Sequence, residues 1–240
     1  MNIVQIGFYF WTAFALSMIF ILLNLNEQRE KIVTAYVVVI AAWLTYTTIL
    51  SQSGVLNDFS LPPRVPLLVV IPAFVIIIVL TATKNFRDVL LHTPRHIPVY
   101  LQSFRIVVEL LIYGAFVDGV FPERATFKGL NYDILSGISA VVIAFLYQKG
   151  KLSNKGLLIW NVAALLILAL TVYSFVSVYY FGDPVEATGS ADFVKMPYLL
   201  LAAVLLPIAV FLHVFSLRQL LQTHQNTFNK HVQGAGNGKQ

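Results

Sequence analysis

The sequence predicts an all-α membrane protein with seven transmembrane helices, its N-terminus outside and its C-terminus in the cytoplasm. The first observation is composition, since 58% of the 240 residues are hydrophobic and only 11% are charged. Soluble domains carry about 25% charged residues, so these few charges could not cover a soluble surface. The second observation is a series of long charge-free runs. The third is the uneven distribution of Lys and Arg between those runs.

Six runs lack any charged residue, and five of them contain 19–27 residues. A helix needs roughly 20 apolar residues to cross a bilayer, so these five qualify. The run 134–148 has only 15 residues, and it can span if Asp133 and Lys149 lie at the two interfaces. A seventh segment, 97–120, contains three charged residues and is assigned as a span by its length and by loop parity. The alternative is a helix lying flat on the membrane surface.

The predicted helices cover residues 3–24, 32–51, 65–83, 97–119, 132–148, 156–181 and 196–218. With the N-terminus outside, the inner segments carry 11 of the 16 Lys and Arg residues, the outer segments carry 4, and Arg105 lies within the membrane. This asymmetry predicts the orientation by the positive-inside rule. Residues 1–222 are expected to form one membrane domain in the cell inner membrane, and residues 223–240 a polar cytoplasmic tail.

Prolines mark the predicted third and seventh helices. Both helices open on a basic residue followed two positions later by a proline, Pro66 or Pro197. With the fourth helix as a linker, the first three and last three helices could form parallel triplets. The alternative is that Pro commonly opens a helix, because its missing N–H has no partner there. Two further prolines, Pro72 and Pro207, lie inside these helices and are expected to kink them.

A polar stripe follows one face of the predicted fourth helix. Gln102, Arg105, Glu109 and Tyr113 recur at spacings of three, four and four residues, which places them on one helical face. Two charged groups facing lipid would cost about 5–7 kcal/mol on an insertion scale. The stripe is therefore predicted to face the interior of the helix bundle.

Partners for the stripe are expected on other helices, because Arg four residues before Glu is the weaker orientation for a pair within one helix. Counting depth along each helix nominates Asn161 and His213. The resulting candidate ligand-binding residues are Arg105, Glu109, Gln102, Tyr113, Asn161 and His213. Arg105 would hold an anionic group, and Glu109 would orient Arg105 or carry a proton.

Two classes of function fit this pattern. In the first, the protein binds or translocates a small polar or amphiphilic solute in an intramembrane pocket. In the second, the bundle is a non-catalytic module that binds or senses a lipid or a partner protein. A membrane-embedded enzyme is the least favoured class. The alternative to any binding role is a hydrogen-bond network that only fixes helix packing.

Other chemistries find no support in the sequence. The absence of Cys excludes disulfides and thiolate metal sites, and no apolar run contains a Lys that could anchor retinal. Zinc-protease, serine-hydrolase and P-loop motifs are missing. We therefore predict no catalytic residue, metal or cofactor. Because the basic residues lie in short loops, they indicate topology and contact with membrane lipid rather than nucleic-acid binding.

Weaker patterns have structural interpretations. His92 and His96 are separated by Pro94, so they are interpreted as solvated loop residues. A faint likeness to the phosphotransferases that use CDP-alcohols fails because Gly137 stands where a further Asp is needed. Asn131 or Asp133 is instead expected to cap the following helix.

Three stretches together resemble a known group of proteins. They are Arg105 and Glu109 with Phe-Lys-Gly-Leu-Asn-Tyr-Asp-Ile at 127–134, Ile-Trp-Asn at 159–161, and Leu206-Pro207 with His-Val-Phe-Ser-Leu at 213–217. The likeness covers roughly the predicted helices four to seven and is to small, uncharacterised bacterial inner-membrane proteins. It implies a bacterial protein with seven helices and carries over no activity.

Overall fold

The computed structural model describes residues 1–24, 29–182 and 189–236, and it contains no strand among them. The α-helices are α1 (Ile3–Asn24), α2 (Arg29–Gln52), α3 (Ile71–Thr81), α4 (Lys84–His92), α5 (His96–Leu101), α6 (Arg105–Val117), α7 (Asp133–Gln148), α8 (Asn154–Val176) and α9 (Leu206–Gly236). A 3₁₀ turn, Gln102–Phe104, joins α5 to α6. The predicted fourth helix is thus two α-helices in line, and α9 extends well beyond the predicted end at 218.

The helices are those of a multi-pass membrane protein. Five segments of the described chain are long and apolar enough to cross a bilayer, namely Ile3–Asn24, Glu30–Gln52, His96–Val117, Asn154–Phe181 and Leu201–Leu221. Pro66–Thr81 adds a sixth if it is taken together with Phe86–His92, to which it is bent by 76°. Asp133–Gln148 is a shorter apolar helix. The predicted all-helical membrane fold is confirmed at this level.

Hydrogen bonds sort the connecting segments into two ends. At one end, Asn2 bonds to Asp118 after α6 (2.8 Å), and Ser51 of α2 bonds to Val194 in the segment before α9 (3.1 Å). At the same end, Tyr179 after α8 bonds to Val120 after α6 (3.1 Å). At the opposite end, Arg218 of α9 bonds to Thr81 at the end of α3, and Gln219 of α9 bonds to Leu90 of α4 (2.8 Å). Arg95, just before α5, bonds there to Asn154 at the start of α8 (3.1 Å).

The short helix α4 is amphipathic and follows the bend after α3. Phe86, Val89 and Leu90 are buried, with Phe86 packed on the aromatic side chains of α9. Lys84 and Arg87 are exposed. A helix with one apolar face and one basic face is typical of a membrane interface.

Small residues bring α7 against α6. Gly137, Ala140 and Ala144 are buried along one face of α7. A Cβ added at Gly137 would lie only 3.0 Å from the backbone nitrogen of Ile106. This close backbone approach is possible only with small residues at the contact. It places Asp133, one turn before Gly137, beside the start of α6.

Two helices contain a π-helical turn immediately before an internal proline. The turn Pro66–Val70 precedes α3 and Pro72, and the turn Leu201–Leu205 precedes α9 and Pro207. A proline supplies no N–H to the helix, so the carbonyl four residues earlier loses its usual donor. Each of these helices therefore carries a widened turn beside its internal proline.

The helix α2 supplies side-chain donors to both of these carbonyls. The indole N–H of Trp43 donates to the carbonyl of Ala203 (2.8 Å), four residues before the proline of α9. The hydroxyl of Tyr46 donates to the carbonyl of Leu68 (3.0 Å), four residues before the proline of α3. Because water is absent from the bilayer core, such donors are the means of satisfying carbonyls there.

Candidate functional site

A buried ion pair lies at the junction of α6 and α7. Arg105 opens α6 with 1% of its surface exposed, and Asp133 opens α7. The Arg105 Nε donates to Asp133 Oδ2 (2.6 Å), and Nη2 pairs with Oδ1. This two-pronged geometry is the strong form of an Arg–carboxylate pair. The expectation that Arg105 finds its partner on another helix is confirmed.

His213 on α9 contacts the remaining side of the guanidinium, with its Nε2 3.0 Å from Arg105 Nη1. Its Nδ1 lies 2.9 Å from Asn161 Oδ1 on α8. The amide nitrogen of Asn161 donates to the carbonyl of Leu157 (2.9 Å) and to the Ser216 hydroxyl (3.0 Å).

These contacts determine the tautomer of His213. The carbonyl of Leu157 can only accept, so Asn161 must direct its own oxygen at the imidazole. His213 then donates from Nδ1, and the lone pair on Nε2 accepts from Arg105. The imidazole is neutral in this arrangement, and both ring nitrogens are used. Depth counting had nominated both Asn161 and His213, and the structure brings both to the cluster.

Glu109 lies one turn beyond Arg105 on α6 and is 1% exposed. Its Oε2 accepts from Asn131 Nδ2 (2.7 Å). The Asn131 Oδ1 in turn accepts from the Thr171 hydroxyl on α8 (2.7 Å). Among the described residues Glu109 forms no ion pair. The arrangement therefore holds one guanidinium and two carboxyl groups, and only Asp133 is paired with the guanidinium.

We call this arrangement the polar cluster, and its members are Arg105, Glu109, Asn131, Asp133, Asn161, Thr171 and His213. The other two predicted site residues lie apart from it. Gln102 is buried and donates to the carbonyl of Ala209 (3.0 Å), which links the 3₁₀ turn to α9. Tyr113 lies two turns beyond the ion pair. Its ring stacks on Phe127 at 4.9 Å and lies 4.8 Å from Lys128 Nζ.

A cavity of about 120 Å³ reaches the polar cluster. It is bounded by the π-helical turn before α3, by α6, by α8 and by the start of α9. We call it the cluster cavity. Its lining residues include Arg105, Glu109, Asp133 and Thr171, and most of the others are aliphatic or aromatic, including Phe121, Phe175, Tyr179, Phe193 and Tyr198. Tyr113 does not line it.

A second cavity of about 220 Å³ lies between α1, α2, α3 and α9. We call it the apolar cavity. The indole N–H of Trp43 is used by a backbone carbonyl, and so is the hydroxyl of Tyr36, which donates to Leu16 (2.8 Å). Lys31 is its one charged lining residue in the described chain. This cavity is therefore a hydrocarbon-lined space with a basic residue at the start of α2.

Asp133 is the functional candidate that sequence reasoning missed. The short length of the run 134–148 led to its assignment at the membrane interface. The same shortness was the available signal, because a helix too short to reach both interfaces can begin deep in the membrane. The N-cap position of α7 is Tyr132, so neither Asn131 nor Asp133 is the expected capping residue. The Asn131 side chain accepts the backbone N–H of Asp133 (3.0 Å) and donates to Glu109.

Comparison with protein-family models, curated proteins and solved structures yields no match. No group of three or more His, Asp or Glu residues suited to a metal ion occurs within the described ranges. The functional interpretation therefore rests on the geometry and charge of the polar cluster and its cavity.

Proposed function

We propose that this protein is a bacterial inner-membrane protein that binds a small amphiphilic solute in the cluster cavity. The observation that carries the proposal is the meeting of two environments in one partly open cavity. Most of its lining residues are apolar, and the buried ionisable residues Arg105, Glu109 and Asp133 also line it. A ligand with an apolar body and one polar group is complementary to both parts.

The size of the cavity favours a ligand of few atoms. An apolar protein cavity of about 150 Å³ accommodates a benzene-sized molecule, and the cluster cavity measures about 120 Å³. A single ring or a short alkyl chain therefore suits it better than a full lipid acyl chain does.

A purely structural role explains only part of the polar cluster. The ion pair of Arg105 and Asp133 and the contact with His213 satisfy one another and fix the packing of α6, α7 and α9. Glu109 adds a second carboxyl group at the wall of an empty space. A network that served packing alone would gain nothing from that extra group, since an unpaired buried charge is destabilising.

The proposal includes seven spans, with the N-terminus outside. The five long helices, Pro66–Thr81 and Asp133–Gln148 supply seven crossings, and the hydrogen bonds that sort the connections into two ends are consistent with alternating passage. Because the chain has no Cys, single cysteines test this directly. We expect Ser60→Cys to react with an impermeant maleimide in intact cells, and Ser153→Cys to react only after permeabilisation. The reverse result would overturn the orientation.

The binding proposal is tested with benzyl alcohol, a soluble probe with one ring and one polar group. We expect it to raise the unfolding temperature of the purified protein in a dose-dependent manner. Ala202 lines the cluster cavity, so Ala202→Leu should fill the space and abolish the shift. Ala35 lines the apolar cavity, and Ala35→Leu adds the same atoms there as a matched control. An equal shift in both variants would show that the cluster cavity is not the site.

A further inference from the structure

The charges of the polar cluster do not balance. Arg105 supplies one positive charge, and its guanidinium is engaged on three sides, by both oxygens of Asp133 and by Nε2 of His213. His213 is neutral in the hydrogen-bond arrangement described above. Glu109 is therefore a carboxyl group in excess, and within the described ranges its hydrogen-bond donor is the uncharged amide of Asn131.

Among the described residues, no second cation lines the cluster cavity or contacts the polar cluster. The ionisable residues that do so beside Glu109 are Arg105 on α6, Asp133 on α7, His213 on α9, and the cavity-lining tyrosines Tyr179, Tyr180 and Tyr198. Tyrosine is neutral until well above neutral pH. Among the described residues of this site, Arg105 is thus the one cation, and Asp133 already pairs with it.

An isolated carboxylate is strongly disfavoured away from water, so a buried carboxyl group takes up a proton or gains a cation. We propose that Glu109 exchanges one proton for one monovalent organic cation, a protonated amine with a small apolar body, which is the ligand of the cluster cavity. This inference rests on the proposed function and specifies the charge of its ligand. One proton leaves to solvent as one cation enters, so the charge within the cavity is unchanged.

The lining of the cavity fits such a cation. A primary ammonium group has three N–H donors, and Glu109 and Thr171, whose side chains carry oxygen acceptors, are both lining residues of the cavity. Aromatic side chains form much of the remaining wall and can contact either the apolar body or the cation. This differs from the sequence-based expectation that Arg105 holds an anion, because Asp133 already fills the anion-binding side of its guanidinium.

The experiment compares three probes that share one ring, which are benzylammonium, benzyl alcohol and phenylacetate. Titration calorimetry on the purified full-length protein measures affinity over a range of pH. Measurement in two buffers that differ in ionisation enthalpy gives the number of protons released. The variants are Glu109→Gln and, as a matched control, Glu123→Gln, which makes the same change at an exposed carboxyl group outside the cavity.

We expect benzylammonium to bind at least about tenfold more tightly than benzyl alcohol and to release one proton per bound cation. Its affinity should fall about tenfold for each unit that the pH is lowered while Glu109 holds its proton, because the proton competes with the cation. Glu109→Gln should remove the preference, the proton release and the pH dependence. Binding of benzyl alcohol to this variant would show that its cavity is intact. Glu123→Gln should behave as wild type.

The two proposals fail in different ways. If none of the three probes binds in a manner that Ala202→Leu abolishes, the proposed function itself is wrong. If benzyl alcohol binds there but benzylammonium is not preferred, the cavity is a binding site and the cation inference is overturned. The inference is also overturned if Glu109→Gln keeps the preference, or if the cation binds without proton release.

Discussion

The two cavities flank α9 and differ in how their polar groups are satisfied. Ala202 lines the cluster cavity, and its neighbour Ala203 lines the apolar cavity. The apolar cavity is the larger, at about 220 Å³ against about 120 Å³. The donors Trp43 and Tyr36 at the apolar cavity are bonded to backbone carbonyls, whereas the cluster cavity is lined by Glu109, which forms no ion pair among the described residues. In this membrane protein, unmatched charge distinguishes a candidate site better than volume does.

The largest expected effect comes from breaking the ion pair beside the cluster cavity. Arg105→Met leaves Asp133 buried without its cation, and losing one partner of a buried pair typically costs about 3–5 kcal/mol. We expect a correspondingly large fall in the free energy of unfolding, measured by denaturant titration in detergent.

Two further variants test whether the loss of stability comes from the unpaired charge of Asp133. Combining Arg105→Met with Asp133→Asn removes both charges and should recover part of the stability. Glu109→Gln keeps the oxygen that accepts from Asn131 and should change stability by less than about 1 kcal/mol. If Arg105→Met is as stable as wild type, the ion pair does not hold α6 and α7 together.

A smaller effect is expected beside the apolar cavity. Trp43→Phe removes the donor to the carbonyl of Ala203, and the loss of one hydrogen bond costs about 1 kcal/mol. Tyr46→Phe removes the equivalent donor to Leu68 and should cost less, because it deletes a single oxygen atom, whereas Trp43→Phe also deletes part of a ring that is only 8% exposed. Thermal unfolding of both variants measures the difference.

This pair of variants also sharpens the contrast between the cavities. Both should bind benzyl alcohol as wild type does, because neither side chain lines the cluster cavity. If either variant binds benzyl alcohol more weakly than wild type does, the apolar cavity and the cluster cavity are not independent.

Much of the architecture follows from composition and periodicity alone. Long charge-free runs predict helices in a membrane, and the cost of exposing Arg105 and Glu109 to lipid predicts that they are buried. Depth along each helix was sufficient to nominate His213. These predictions succeed because placing a charged side chain in the hydrocarbon of the bilayer costs so much free energy that few helix arrangements are possible.

The remaining contacts of the polar cluster depend on how far each helix is shifted along the axis of its neighbour. Asp133 reaches Arg105 because the small residues of α7 allow its start to approach the start of α6 closely, which does not follow from helical spacing. Tyr113 shares a helical face with Glu109 but stacks on Phe127 instead. The prolines predict that α3 and α9 are distorted. They do not predict that Trp43 and Tyr46 of α2 donate to the carbonyls at the widened turns.

The position of Trp43 and Tyr46 has a mechanical consequence. They stand three residues apart on α2, and each completes the backbone of a different proline-containing helix. A rotation of α2 about its long axis would withdraw both donors in a single movement. Any bending of α3 or α9 at these carbonyls would therefore depend on the position of a third helix, α2.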